Sequence, residues 1–412
     1  GAVDLLVVGR FGSTSGLSGV STGSQVLNLV TFVVTQLAMG ITVLIARYLG
    51  EKREDQIGSI IGGGTVVFAA ISLVLFVIMV GFARPIAVLM QAPEEAVGLT
   101  AAYIRICGAG IFFIVAYNVL SAIFRGLGDS NSPLLFVFVA CIVNVVGDLV
   151  LVAGLGMDAM GAALATVFAQ ALSVVFAIVR LVKKGLPFTI TGYDFRLNPQ
   201  CGKFLQIGLP LALQECLTQG SFLALCAFVN RLGLEASSGY GVACKIVNFA
   251  MLIPGALMQS TSSFVSQNVG AGEQKRAKKT MFTGIGIGLL VGCFAFSLVF
   301  FRGDLLAGIF SADAAVVQRG YEYLKGFAPE TLLTAVLFSM MGYFNGNGKT
   351  VWVMLQGLIQ TLLVRLPFAY YMSIQTDASL TNIGLAAPIS TAVGIVLNVA
   401  FFLYLEHAAK RS

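Results

Sequence analysis

Phe124-Arg125-Gly126-Leu127-Gly128-Asp129-Ser130 returns about 220 positions later as Phe344-Asn345-Gly346-Asn347-Gly348-Lys349-Thr350. The same spacing relates Val8-Gly9-Arg10-Phe11-Gly12 to Val229-Asn230-Arg231-Leu232-Gly233, Tyr103 to Tyr323, and Arg105 to Lys325. Gly50 and Gly270 each precede a charged loop, and Gly161-Ala162-Ala163 is echoed by Gly384-Leu385-Ala386. The chain is therefore an internal duplication, and what lies between the matched motifs decides what is duplicated.

What lies between them is apolar. Of 412 residues 57% are hydrophobic and only 11% charged, and the mean hydropathy is +0.91. So few charges cannot coat a soluble particle of this size. They cluster between long apolar segments at roughly 17–47, 57–82, 96–124, 133–154, 159–182, 204–230, 236–268, 280–301, 316–344, 350–374 and 382–405. Each can cross a bilayer core of about 30 Å, which takes about 20 helical residues. Barrel strands would alternate apolar and polar residues over about ten positions, and these runs do not. Ala2–Gly9 is too short to cross and reads as the end of a twelfth helix whose start lies outside this sequence. The predicted fold is an all-α polytopic membrane protein of twelve helices in two six-helix lobes. Six helices per copy keep both copies in one orientation, so their pseudo-two-fold runs along the membrane normal.

Sorting the basic residues by alternate loops orients the chain, because Lys and Arg are retained on the cytoplasmic side. One side takes sixteen, among them Arg47, Lys52, Arg53, Arg180, Lys183, Lys275, Arg276, Lys278, Lys279 and Lys349; the other takes five, Arg10, Arg84, Arg231, Arg302 and Arg319. The expectation is a multi-pass protein of the cell (plasma or inner) membrane with a cytoplasmic C-terminus. Residues 1–182 form the N-lobe, 183–203 a cytoplasmic connection rich in Gly and Pro, and 204–412 the C-lobe with a short tail. The net charge of +6 is thus topology, and nucleic-acid binding is not expected. Seven cysteines without a CxxC pair and a single His407 indicate neither a zinc site nor a disulfide framework. With no HExxH and no GxSxG in a suitable setting, an enzyme is not expected either.

Several motifs together resemble a known family. Val3-Asp4 with Val8-Gly9-Arg10, Arg125-Gly126-Leu127-Gly128-Asp129, Asn144 with Asp148, and Gly161-Ala162-Ala163 with Ala165-Thr166 resemble the prokaryotic MATE (multidrug and toxic compound extrusion) transporters. The resemblance covers the whole chain. It implies a secondary active antiporter that exports amphipathic, cationic organic compounds in exchange for H⁺ or Na⁺, working as a monomer in the bilayer with no cofactor beyond that ion. The alternative is a lipid-linked oligosaccharide flippase of the same superfamily, which needs a strongly basic cavity. Lys245 and Arg365 are the only inward-facing cations the sequence offers for one.

Ionisable residues within the spans are functional candidates, since each costs at least about 2.5 kcal/mol to bury in hydrocarbon. At about 1.5 Å per residue, Asp4 lies roughly 10 Å below the outer end of its helix and Thr166 about 10 Å below the outer start of its own. Asp148, about 22 Å up from the inner side, reaches the same level. Asn144 is one turn from Asp148 on the same face. The family resemblance carries the cation-coupling role onto Asp4, Asn144, Asp148 and Thr166, with Asp4 and Asp148 as candidate Na⁺ ligands. Tyr103 has suitable depth. In the C-lobe, Glu215 and Lys245 lie near mid-depth and are expected either to pair or to serve a substrate or proton site. Glu330, after Pro329 at an expected helix break, is a third such candidate. Arg365 either neutralises it or snorkels outward, the second being the expectation.

Overall fold

Hydrocarbon offers no partner to a backbone amide, so apolar runs of this length are stable only as helices. The computed structural model describes residues 2–90, 92–183, 191–311 and 313–411, and among these every regular element is helical. The first copy comprises α1 (Ala2–Phe11), α2 (Thr14–Gly50), α3 (Ile57–Gly81), α4 (Ala83–Leu89), α5 (Glu94–Ala109), α6 (Ile111–Gly126), α7 (Asn131–Asp148), a π-helical segment Leu149–Gly154, and α8 (Asp158–Lys183). The second comprises α9 (Pro199–Asn230), α10 (Leu234–Gly270), α11 (Gln274–Gly308), α12 (Ala314–Phe327), α13 (Glu330–Gly346) and α14 (Thr350–Leu358). A second π-helical segment Ile359–Arg365 follows, then α15 (Leu366–Ser373), α16 (Leu380–Gly384) and α17 (Ala386–Arg411). Nine helices among the described residues are long and apolar enough to span alone, and two bent pairs bring the number to eleven.

Two of the expected segments are bent, one of them at the break expected after Pro329. Residues 96–124 break at Gly110, where α5 and α6 meet at 54°, and residues 316–344 break before Glu330, where α12 and α13 meet at 46°. Pro329 explains the second break, since it lacks an N–H and its ring clashes with the preceding turn. At Gly110 the cause is packing: a Cβ there would lie 2.3 Å from a methyl of Val167 on α8.

The duplication is written in the packing as well as in the motifs. A Cβ on Gly126 would lie 2.9 Å from the Cβ of Ile45, and one on Gly346 would lie 2.7 Å from the Cβ of Val265, the equivalent pair in the second copy. Gly19 meets Leu99 as Gly239 meets Arg319. Only glycine permits these helix backbones so close, and small residues at such crossings are what drives helix association where lipid removes the hydrophobic force. The outward faces stay apolar: only 22% of the most apolar window of residues 131–154 is buried within the protein, and Leu134, Phe138 and Phe168 are exposed.

The chain divides into two compact units, Gly1–Ala212 and Leu213–Ser412, the division falling inside α9. The expected connection 183–203 lies in part outside the described residues, at 184–190. Of the rest, Lys183 ends α8, Gly192–Asp194 form a 3₁₀ turn, and α9 begins at Pro199, five residues before the expected start at 204. The turn is pinned to α3, because Ser59 donates to Asp194 Oδ1 at 2.8 Å and Asn198 donates to the Ser59 carbonyl at 2.8 Å. The start of α9 continues this contact: Phe204 is fully buried and stacks on Phe68 at 6.4 Å between centroids.

Candidate functional site

In the first unit four elements converge on two acids. Gly147 on α7 lies so close to α8 that a Cβ would stand 2.9 Å from that of Ala165. Their sequence neighbours are Asp148 on α7 and Thr166 on α8. Asn144 Nδ2 donates to Thr166 Oγ1 at 3.3 Å, and Thr166 Oγ1 donates to Asp4 Oδ2 at 3.1 Å. Asp4 and Asp148 are both fully buried, and the two carboxyls adjoin one another. Both Asp148 oxygens lack a hydrogen-bond donor among the described residues. Tyr103 and Cys107 of α5 flank the Asp4 carboxyl, and Tyr103 also reaches Thr166. Asp148 is the last residue of α7 before the π segment, and such widened turns commonly re-aim side chains at functional positions.

The chemistry of the arrangement follows from its charges. Two unit charges about 4 Å apart repel by about 4 kcal/mol even at an effective dielectric of about 20, so two ionised carboxylates in one buried shell require a cation between them. A proton would let one carboxyl donate to the other. Alternatively, the oxygens of Asp4, Asp148, Thr166 and Asn144 form a hard, all-oxygen donor set of the type that suits an alkali ion. Among the described residues no group of three or more His, Cys, Asp or Glu is arranged to hold a metal ion.

One contact close to this site had no sequence signal. Ser13, which caps α2 by accepting from Gly16 N, donates to Asp158 Oδ2 at 2.5 Å. Asp158 has φ of +53°, the left-handed region. Its carboxylate sits directly over Gly16, where any Cβ would collide with it. The link joins the start of α2, which follows the helix that carries Asp4, to the start of α8.

In the second unit the expected partners separate. Glu215 accepts from Gln219 of its own helix at 2.7 Å, and Lys245 is exposed with its ammonium 5.6 Å from the Phe310 ring. The pairing considered for them is absent among the described residues, because height along a helix does not set the direction in which a side chain points. Arg365 does not snorkel: only 6% exposed, it donates to Ser390 Oγ at 3.3 Å and lies over Phe222 at 5.4 Å. Glu330 is buried and accepts from Thr391 Oγ1 at 2.8 Å. Thr391 in turn accepts from Gln360, whose Oε1 accepts from Gln356 at 2.6 Å. Sequence reading passed over this chain of Gln356, Gln360, Ser390 and Thr391. The available signal was two glutamines four residues apart within the fifth span of the second copy.

Comparison with known proteins agrees with this architecture. Over 98% of this chain and 89% of the relative, it is 23% identical to "Probable multidrug resistance protein YoeA" of Bacillus subtilis. Over 87% of this chain and 80% of the relative, it is 25% identical to "Multidrug export protein MepA" of Staphylococcus aureus. A solved structure described as an outward-facing multidrug resistance MATE family transporter of the MOP superfamily shares the fold, with a TM-score of 0.93 at 21% identity, covering 99% of this chain and 92% of that one. The MatE family itself matches at residues 1–150 and 210–371, in both copies of the repeat, so this chain belongs to the MatE family of membrane transporters.

Proposed function

We propose that the protein is a secondary active antiporter that exports amphipathic, cationic organic compounds from the cytoplasm across the cell membrane in exchange for H⁺ or Na⁺. The multidrug names of its relatives support the cargo class. The single observation that carries the coupling is the buried Asp4–Asp148 pair, with both Asp148 oxygens lacking a donor. An ion arriving down a potential of 100 mV brings about 2.3 kcal/mol per charge. Neutralising the pair removes a repulsion of similar size and lets α1, α7 and α8 repack. Glu215, Lys245 and Glu330 are then the candidates of the second unit for a substrate or proton site. In this reading residues 1–182 and 204–412 act as lobes joined by 183–203, the C-terminus is cytoplasmic, and the working unit is a monomer.

Efflux of a fluorescent organic cation from proteoliposomes, under separately imposed H⁺ and Na⁺ gradients, tests the reading. Efflux driven by one gradient and lost in Asp148→Asn is expected. Efflux indifferent to both gradients would remove the antiport mechanism, and translocation of a lipid-linked pyrophosphate instead would favour the flippase.

A further inference from the structure

In the second unit the fifth span and α17 run antiparallel with polar residues facing one another turn by turn. On α14 and the π-helical segment after it these are Trp352, Gln356, Gln360 and Arg365; on α17 they are Asn398, Thr391 and Ser390, with Gly394 between. Four-residue steps are turns of an α-helix, and the five-residue step from Gln360 to Arg365 is one turn of the wider helix, so the row keeps to one face. The hydrogen bonds across it have a single sense. Trp352 Nε1 donates to Asn398 Oδ1 at 2.9 Å, and Gln356 Nε2 to Gln360 Oε1 at 2.6 Å. Gln360 Nε2 then donates to Thr391 Oγ1 at 3.0 Å, and Thr391 Oγ1 to Glu330 Oε1 at 2.8 Å. Two atoms are left over where the first of these bonds approaches the second. Asn398 Nδ2, a donor, and Gln356 Oε1, an acceptor, are both buried with no partner among the described residues. A side chain at Gly394 would crowd the space beside them, since a Cβ there would lie 2.5 Å from Gln356 Nε2.

We propose that Trp352, acting through this chain over about 12 Å of helix, holds Glu330 as a carboxylate, with one water carrying the link from Asn398 Nδ2 to Gln356 Oε1. Amides and hydroxyls both donate and accept, so such a chain has two self-consistent polarities: donating toward Glu330, or away from it with a protonated Glu330 as first donor. Tryptophan can only donate. By occupying Asn398 Oδ1 it leaves Nδ2 to face inward, so Gln356 accepts with Oε1 and donates with Nε2, and every later link follows the same sense. Aligned bonds in low dielectric reinforce one another, which carries the choice made at one end to the other. Arg365, whose charge acts on Glu330, is donor-only as well and stays protonated, so it too opposes the reversed polarity. Tyr323 of α12, with Tyr240 of α10 edge-on to it at 4.9 Å, is the other titratable group acting with Glu330 among the described residues. Of the two roles open to Glu330 this removes that of proton carrier and leaves a fixed charge. The inference does not depend on ion coupling at Asp4 and Asp148.

Difference infrared spectra of the full-length protein in nanodiscs at neutral pH, taken against Glu330→Gln, isolate the Glu330 band. The parent should show a carboxylate. Trp352→Phe keeps a ring to stack on Phe401, as the indole does at 4.1 Å, and removes only the N–H. In it the ratio of protonated to ionised Glu330 should rise roughly tenfold or more, the usual worth of a hydrogen bond to a charged group. Asn398→Leu should give the same rise, and the double variant no further one, because both cut a single chain. Thr334→Ala, which removes a bond to the Glu330 carbonyl and not to its carboxylate, should leave the band parental. A protonated carboxyl in the parent, a parental band in Trp352→Phe, or an equal rise in Thr334→Ala overturns the proposal. Should Trp352→Phe not fold, Gln356→Leu cuts the chain one turn further in, and a parental band there would overturn it equally.

Discussion

Replacing Gly147 by alanine should uncouple transport without touching a polar atom. The added Cβ would lie 2.9 Å from Ala165 Cβ and 3.3 Å from Ala165 Cα. Carbon atoms in contact settle at about 3.5–4.0 Å, and neither alanine has a rotamer with which to yield, so α7 and α8 must part by roughly 0.6–1 Å. The Asn144–Thr166 hydrogen bond, already 3.3 Å long, would open to about 4 Å and cease to be one. Overpacking of this kind costs about 1–3 kcal/mol, which a chain with this many helix contacts survives. A misplacement of about 1 Å in a positioned polar site can nevertheless cost about a hundredfold in rate. Gradient-driven efflux from proteoliposomes should therefore fall about ten- to a hundredfold while insertion and yield stay parental. Ala165→Gly in the same molecule should restore most of it by returning the lost space. Parental efflux in Gly147→Ala, or a double variant as impaired as the single one, would refute the argument that this crossing sets the site.

Asp4→Asn and Asp148→Asn should each abolish gradient-driven efflux while leaving the protein folded, as judged by size-exclusion profile and melting. Asp158→Ala should lose the 2.5 Å tie to Ser13 and strain a left-handed position, giving faster hydrogen exchange in the first turn of α2 by roughly fivefold, or about 1 kcal/mol, whereas Asp158→Asn, which tolerates that backbone, should be milder. The Asp194 carboxyl is held below the usual carboxylate range, chiefly by the Thr191 N–H and then by Ser59. Its contribution is therefore complete above the unfolded value near about 4 and lost as the pH falls through the folded one. Exchange of amides 191–198 should rise on acidification below about pH 4, and Asp194→Asn should show the faster exchange already at neutral pH.

What could be read from residues alone was whatever depends on length and on distance along an axis. Eleven apolar segments appear at the expected places, since span length is fixed by the bilayer and not by neighbours. Asp4, Thr166 and Asp148 were placed at one level by counting residues along three helices, and they do adjoin. Direction around an axis was not available by counting. Glu215 and Lys245 share a height and point to different partners, and Arg365 turns inward to Ser390 rather than out to water. The break at Gly110 was equally hidden, because one glycine among 47 carries no mark that Val167 will press against it. The two π segments are backbone registers imposed by tertiary packing, and no local residue announces them.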